Sequence, residues 1–210
     1  MTGTHASRLH NRHYFSTMYD PRIWRSRGYL PHIDDKGLVQ FITFRLADSM
    51  PQEVLERWRE DLVNGTVTDA NFRRRIEIYL DQNYGSCALR NREIASMVQD
   101  AFLNFDGVRY RLLAWVIMPN HGHILLECIN NFSLASVMHS IKSYTAHEAN
   151  KILGSDRRFW SKEYFDRYIR SGRHYNSVVK YIETNPVKAG LCKVPGEWPF
   201  SSAHGRDILR

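Results

Sequence analysis

The chain has 210 residues, 43% of them hydrophobic and 24% charged, which is enough for one good core with additions and excludes a disordered or fibrous class. No apolar run reaches the roughly 20 residues that cross a bilayer, and residues 1–13 lack the apolar centre of a secretory signal. Three cysteines (Cys87, Cys128, Cys192), odd in number and never in C-x-x-C spacing, argue against a disulfide framework or a cysteine zinc site and fit a reducing cytoplasm; a cytoplasmic, nucleoid-associated protein is expected.

A net charge of +7 favours a polyanionic partner, because cations that neutralise phosphates release counterions. The first element in chain order, residues 1–36, has no periodicity and holds Pro21 and Pro31, so it reads as an extended basic and aromatic arm. Leu38–Ala47 is rich in β-formers and predicts a strand. Pro51 suits the first turn of a helix running to about Asn64, and further helices are predicted over 69–82 and 91–104.

Asp106-Gly107 signals a turn. A long strand follows over 108–118, with Tyr110, Leu112, Ala114, Val116 and Met118 expected on one face. His121–Ile129 is the next strand, making a hairpin across Pro119-Asn120. Ser133 is a fitting N-cap for a helix to about Leu153. A short strand is predicted over 164–170, then a helix from Gly172 that stops at Asn185, because the residue before a proline is pushed out of the helical region. Residues 192–210 read as an irregular tail. The order is that of an α+β fold, a ferredoxin-like β-α-β-β-α-β antiparallel sheet with helices on one face, inserted helices in the first crossover and an added C-terminal helix.

Strand side chains alternate, so His121 and His123 share a face and form half of a metal site. On the last helix, Tyr175, Val178, Val179 and Ile182 define the buried stripe, and Tyr181 and Asn185, four apart, share its flank. If that flank meets the histidine strand, the Asn185 amide oxygen can be a third ligand and the Tyr181 hydroxyl can sit beside a polarised phosphate. Such a set suits phosphodiester transesterification, with a phenolic nucleophile that is also a good leaving group when the strand is rejoined. Blander readings stand beside this one. The histidines suit a half-exposed strand, Asn185 suits a helix end, and Tyr144 is a rival nucleophile on the preceding helix.

Met118-Pro119-Asn120-His121-Gly122-His123 resembles the HUH motif of single-strand DNA endonucleases. The segment Val179–Leu191 is similar to the tyrosine helix of REP-associated tyrosine transposases, as are Phe159–Arg167, Trp198–Ala203, Gly28–His32 and Leu112–Trp115. The resemblance covers about residues 28–203. It implies an insertion-sequence-like single-tyrosine transposase fold, with Mg²⁺ or Mn²⁺ at His121, His123 and Asn185 and Tyr181 as nucleophile. It also implies cleavage of a single-stranded DNA hairpin, the folded repetitive extragenic palindrome, through a 5′-phosphotyrosine. Residues 37–191 would then be the catalytic domain between the arm (1–36) and the tail (192–210). His32, Lys142, Arg167, Arg170, Trp160, Arg25 and Arg27 are the expected DNA contacts, with no membrane and no small-molecule cofactor involved. A monomer is favoured over the dimers in which insertion-sequence transposases exchange tyrosine helices. The middle position of the triplet is usually bulky and apolar. Gly122 there should face the helix layer, lose packing and loosen the strand, which leaves room for an alternative: a domesticated, non-cleaving binder of structured DNA or RNA.

Overall fold

The computed structural model describes residues 24–26, 31–33 and 37–204, with side chains described from Gly37 onward. Strands β1 (Trp24–Ser26) and β2 (Pro31–Ile33) pair antiparallel. The body follows as β3 (Val39–Arg45), α1 (Gln52–Val63), α2 (Asp69–Asp81), α3 (Arg92–Leu103), β4 (Tyr110–Ile117), β5 (His121–Cys128), α4 (Leu134–Leu153), β6 (Phe165–Tyr168) and α5 (Gly172–Lys188). Four strands form one antiparallel sheet in the order β4-β5-β3-β6, which is the ferredoxin-like arrangement. No helix among the described residues is long and apolar enough to cross a membrane.

Every residue of the central strands β3 and β5 is buried, so both sheet faces are covered. On one face Ile42, Phe44, Ile124 and Leu126 pack against the apolar stripes of α3 (Ile94, Val98, Phe102) and α4 (Val137, Met138, Ile141). On the other, Val39, Phe41 and Leu125 meet Val178 and Ile182 of α5. The inserted pair α1–α2 does not extend the crossover layer. Its core (Leu55, Phe72, Ile76, Leu80) closes on Phe165 of β6. Phe165 sits opposite Thr43, which sits opposite His123, so the insertion lies beside α5 on the histidine face.

Two expectations fail locally. A β-bulge between Leu112 and Ala114 reverses the alternation of β4. Tyr110 and Leu112 therefore join the α3/α4 core, while Ala114, Val116 and Met118 face α5. Helix α5 does not stop at Asn185. Pro186 lies inside it, with only Val187 and Lys188 following, and Gly190 in the left-handed region (φ +69°) closes the terminus. Asn185 is thus fully buried in the helix body rather than capping an end.

The C-terminal segment to His204 contains a short 3₁₀ helix (Pro195–Glu197) and is docked. The Trp198 indole donates to the Ile117 carbonyl, Phe200 accepts from Ile117 N, Ser201 bridges Val116, and Ser202 bonds Glu183 of α5.

Gly122 leaves no void. It faces Phe44 across the ladder, and a Cβ at position 122 would lie 2.6 Å from Phe44 Cζ. The Phe44 ring is held edge-on by Phe102 and Trp160 and cannot move aside. The expected loosening is therefore corrected, because an aromatic from the neighbouring strand fills the space. Gly122→Ala should lower stability by about 1–3 kcal/mol in urea unfolding, and Phe44→Leu in the same chain should recover part of it. A neutral or stabilising Gly122→Ala would refute this account.

Candidate active site

Alternation along β5 sends His121 and His123 to the α5 side, and both are fully buried. Each imidazole has its Nδ1 engaged. Asn120 spends its amide hydrogen on the Tyr84 carbonyl, so its Oδ1 faces His121 Nδ1 at 2.7 Å and must accept from it. Thr43, directly opposite in β3, holds His123 Nδ1 at 2.9 Å. His121 Nε2 then carries a free lone pair and His123 Nε2 accepts from the Asn185 amide, so both rings are in the tautomer a metal requires. Burial pushes His121 down to about 3 and His123 well below the imidazole range, with His121 and Arg167 adding to the latter, so both rings stay neutral.

Helix α5 supplies the other half. Asn185 Nδ2 lies 3.3 Å from His123 Nε2, while its Oδ1 is buried without a hydrogen-bond partner. The Tyr181 ring stands 5.3 Å from the His123 ring and edge-on to Phe41, and its hydroxyl is also buried without one. Burial first, then the charges of Glu77 and Asp81, raise the phenol far above its ordinary value, so it is held protonated. Lys188 lies 4.7 Å over the Tyr181 ring, and the Arg167 guanidinium sits 4.8 Å over Phe41.

Sequence reasoning missed three groups here. Thr43 and Asn120 orient the histidines, and strand register is needed to see Thr43. The third is the pair Glu77 and Asp81, one helical turn apart on α2. Burial raises both carboxyls, Asp81 to about 6 with Glu77 adding to the effect. Their i, i+4 spacing was the available signal.

No group of three or more His, Cys, Asp or Glu side chains among the described residues is placed to hold a metal by itself, so an amide has to belong to any donor set. The bare His121 Nε2, the unpartnered Asn185 Oδ1 and a His123 Nε2 that faces only an amide N–H are a donor set that suits a divalent cation.

The expected DNA contacts divide. Trp160 is a correction: it is 4% exposed, its indole donates to Thr145, and it packs on Phe44, so it has no face for a base. Lys142 holds the Ser161 and Lys162 carbonyls from the α4 side, at a groove of about 440 Å³ that His139, Arg157, Arg158 and Lys162 also line. Arg167 reaches the histidine face, and Arg170 is exposed over Tyr168. Arg27 lies outside the described residues, as do the side chains of Arg25 and His32. Tyr144 is 55% exposed on α4, across the sheet from the histidines.

Residues 89–185 match the family described as "Transposase IS200 like". The chain is 34% identical over 104 residues to the REP-associated tyrosine transposase of Escherichia coli (strain K12), a match covering 48% of this chain and 58% of that protein. A solved structure described as "Structure of the REP associates tyrosine transposase bound to a REP hairpin" shares the fold, with a TM-score of 0.50 and 22% identity over 89% of this chain and 85% of that one. The resemblance read from the motifs therefore holds, over somewhat more than half the length of the curated relative.

Because burial keeps the histidines from protons that the unfolded chain takes up below about pH 6.5, the unfolded state binds more protons in that window. Stability should therefore fall as pH drops from about 6.5 toward 3, seen as a declining melting temperature. Replacing both histidines by glutamine should flatten the decline; an unchanged slope in that variant would show that the histidines are not its source.

Proposed function

We propose that the chain is a transposase-like, metal-dependent endonuclease that cuts and rejoins single-stranded hairpin DNA through a 5′-phosphotyrosine. The observation that carries this reading is the meeting of His121, His123, Asn185 and Tyr181 in one buried cluster, with His121 Nε2, Asn185 Oδ1 and the Tyr181 hydroxyl left without hydrogen-bond partners. His121, His123 and Asn185 would hold Mg²⁺ or Mn²⁺. When bound, the cation supplies Lewis-acid polarisation of the scissile phosphate.

The chain's own groups do the rest. Thr43 and Asn120 lock the imidazole orientations. Tyr181 Oη attacks phosphorus; its proton passes to a carboxylate, and Glu77 acts on the hydroxyl most strongly of the charged groups. The new Oη–P bond forms as the P–O3′ bond breaks, and the leaving 3′-oxygen takes up a proton. Reversal restores the strand with no external energy source. Burial keeps the phenol protonated until substrate arrives, which guards against idle reactivity. Arg167 and Lys188 are cations within the Tyr181 surroundings suited to a phosphate.

Hairpin DNA of the repetitive extragenic palindrome type is the proposed substrate, in keeping with the ligand of the solved structure that shares the fold. The groove beside Lys142 is a proposed phosphate track. A cytoplasmic, nucleoid-associated location follows from such a substrate. The non-cleaving alternative drew on a loosened Gly122, and Phe44 removes that support.

Incubation of the protein with labelled hairpin DNA and Mn²⁺ should give an adduct that survives denaturation. Tyr181→Phe should abolish it, and Asn185→Ala should slow it about ten- to a hundredfold. Tight binding without any adduct would leave only the binder reading. Affinity should also fall steeply with salt, and a flat salt response would discount the basic groove.

A further inference from the structure

Arg45 is a buried cation that the proposed chemistry does not use. It ends β3, directly opposite His121, and shares the histidine face with Thr43. The side chain is 4% exposed, and a guanidinium keeps its charge when buried. Among the described residues its hydrogen bonds go only to neutral oxygens, the Leu46 carbonyl and the Ser49 hydroxyl, both from Nη1 and both at 3.3 Å. Nε and Nη2 have no acceptor there. The neighbouring charges repeat its sign: Arg59 of α1 acts on Arg45, and Arg45 acts on Lys142 of α4.

The turn after β3 does not need this charge. Ser49 already closes it, with its N–H and its hydroxyl both donating to the Leu46 carbonyl. An unpaired buried charge is costly, and it is kept where a ligand completes it. The missing partner is an anion with several acceptor oxygens, which a guanidinium fork takes bidentately.

The position indicates which anion. Phe41, Thr43 and Arg45 follow one another along one face of β3. Tyr181 stands edge-on to the first, His123 is held by the second, and His121 lies opposite the third. Arg45 is thus at the end of the cluster away from the nucleophile. In an in-line displacement the leaving oxygen departs on the side opposite the attacking one.

We propose that Arg45 binds the backbone phosphate next to the scissile one, on the segment that leaves with the 3′-hydroxyl. The inference rests on the strand-cutting reading above and deepens it. A fork on that phosphate keeps the cut 3′ end beside the phosphotyrosine, where rejoining needs it.

The test walks a neutral methylphosphonate, one linkage at a time, through the single-stranded flank of hairpin DNA. Affinity and the rate of adduct formation with Mn²⁺ are measured for the wild type and for Arg45→Met, which keeps the apolar stem. The wild type should lose about tenfold in affinity when the linkage immediately 5′ to the cleaved one is neutral. Arg45→Met should lose about as much with ordinary DNA and nothing further with that linkage neutral. Its melting temperature without DNA should not fall, because an unpaired buried charge has been removed. Losses that multiply overturn the proposal and assign Arg45 to the fold. Wild-type affinity that ignores that linkage overturns it as well. If Arg45→Met does not fold, Arg45→Lys carries the comparison; it keeps the charge without the fork and should respond to the neutral linkage less than the wild type. Binding that is sensitive to one linkage through Arg45, with no adduct from the wild type, overturns the endonuclease reading and leaves the phosphate contact standing.

Discussion

Strand β5 puts two imidazoles on a sheet face that water does not reach, and the hydrogen bonds of their Nδ1 atoms with Thr43 and Asn120 fix how each ring is turned. Much of the molecule follows from that constraint. A half-buried strand would let the rings swing and take up protons. A strand covered on both faces holds them neutral and aimed, and needs helices on both sides to do so. Helices α3 and α4 serve the apolar face, while α5 and the inserted α1–α2 pair share the polar one.

The polar face is crowded with charge of both signs. Arg45, opposite His121, is 4% exposed and is pushed down to about 10 by burial, with Arg59 adding to the effect. It donates to Leu46 and Ser49, which partly replaces lost water. Glu77 and Asp81 face Arg167, Lys188 and the Tyr181 hydroxyl. Buried charges of this kind are poor stabilisers and make sense where a substrate or ion completes them. The nucleophile sits inside the same field, so its readiness is tied to whatever changes that field.

Much of the architecture was legible in the sequence because the long elements are strongly periodic. Helices α4 and α5, the β4–β5 hairpin and the shared flank of Tyr181 and Asn185 follow from spacing alone. The errors have a common cause, which is that local pattern does not report partners. Leu112-Leu113-Ala114-Trp115 is apolar in either phase, so nothing in the run marks the bulge. Trp160 looks the same among cations whether it stacks on a base or on Phe44. Gly122 looks like a deficit until Phe44 is found opposite it. Pro186 reads as a stop, yet the helix runs two residues past it. Thr43 enters the site through register with a strand 80 residues away, which no motif encodes.

The docked C-terminal segment has a consequence of another kind. Trp198, Phe200 and Ser201 fasten it to β4, and Ser202 reaches Glu183, two residues before Asn185, so the last helix is clamped to the edge of its own sheet. The clamp therefore holds the flank of α5 that carries the tyrosine and the amide at a fixed height over β5, so the end of the chain sets how closely the two halves of the site meet.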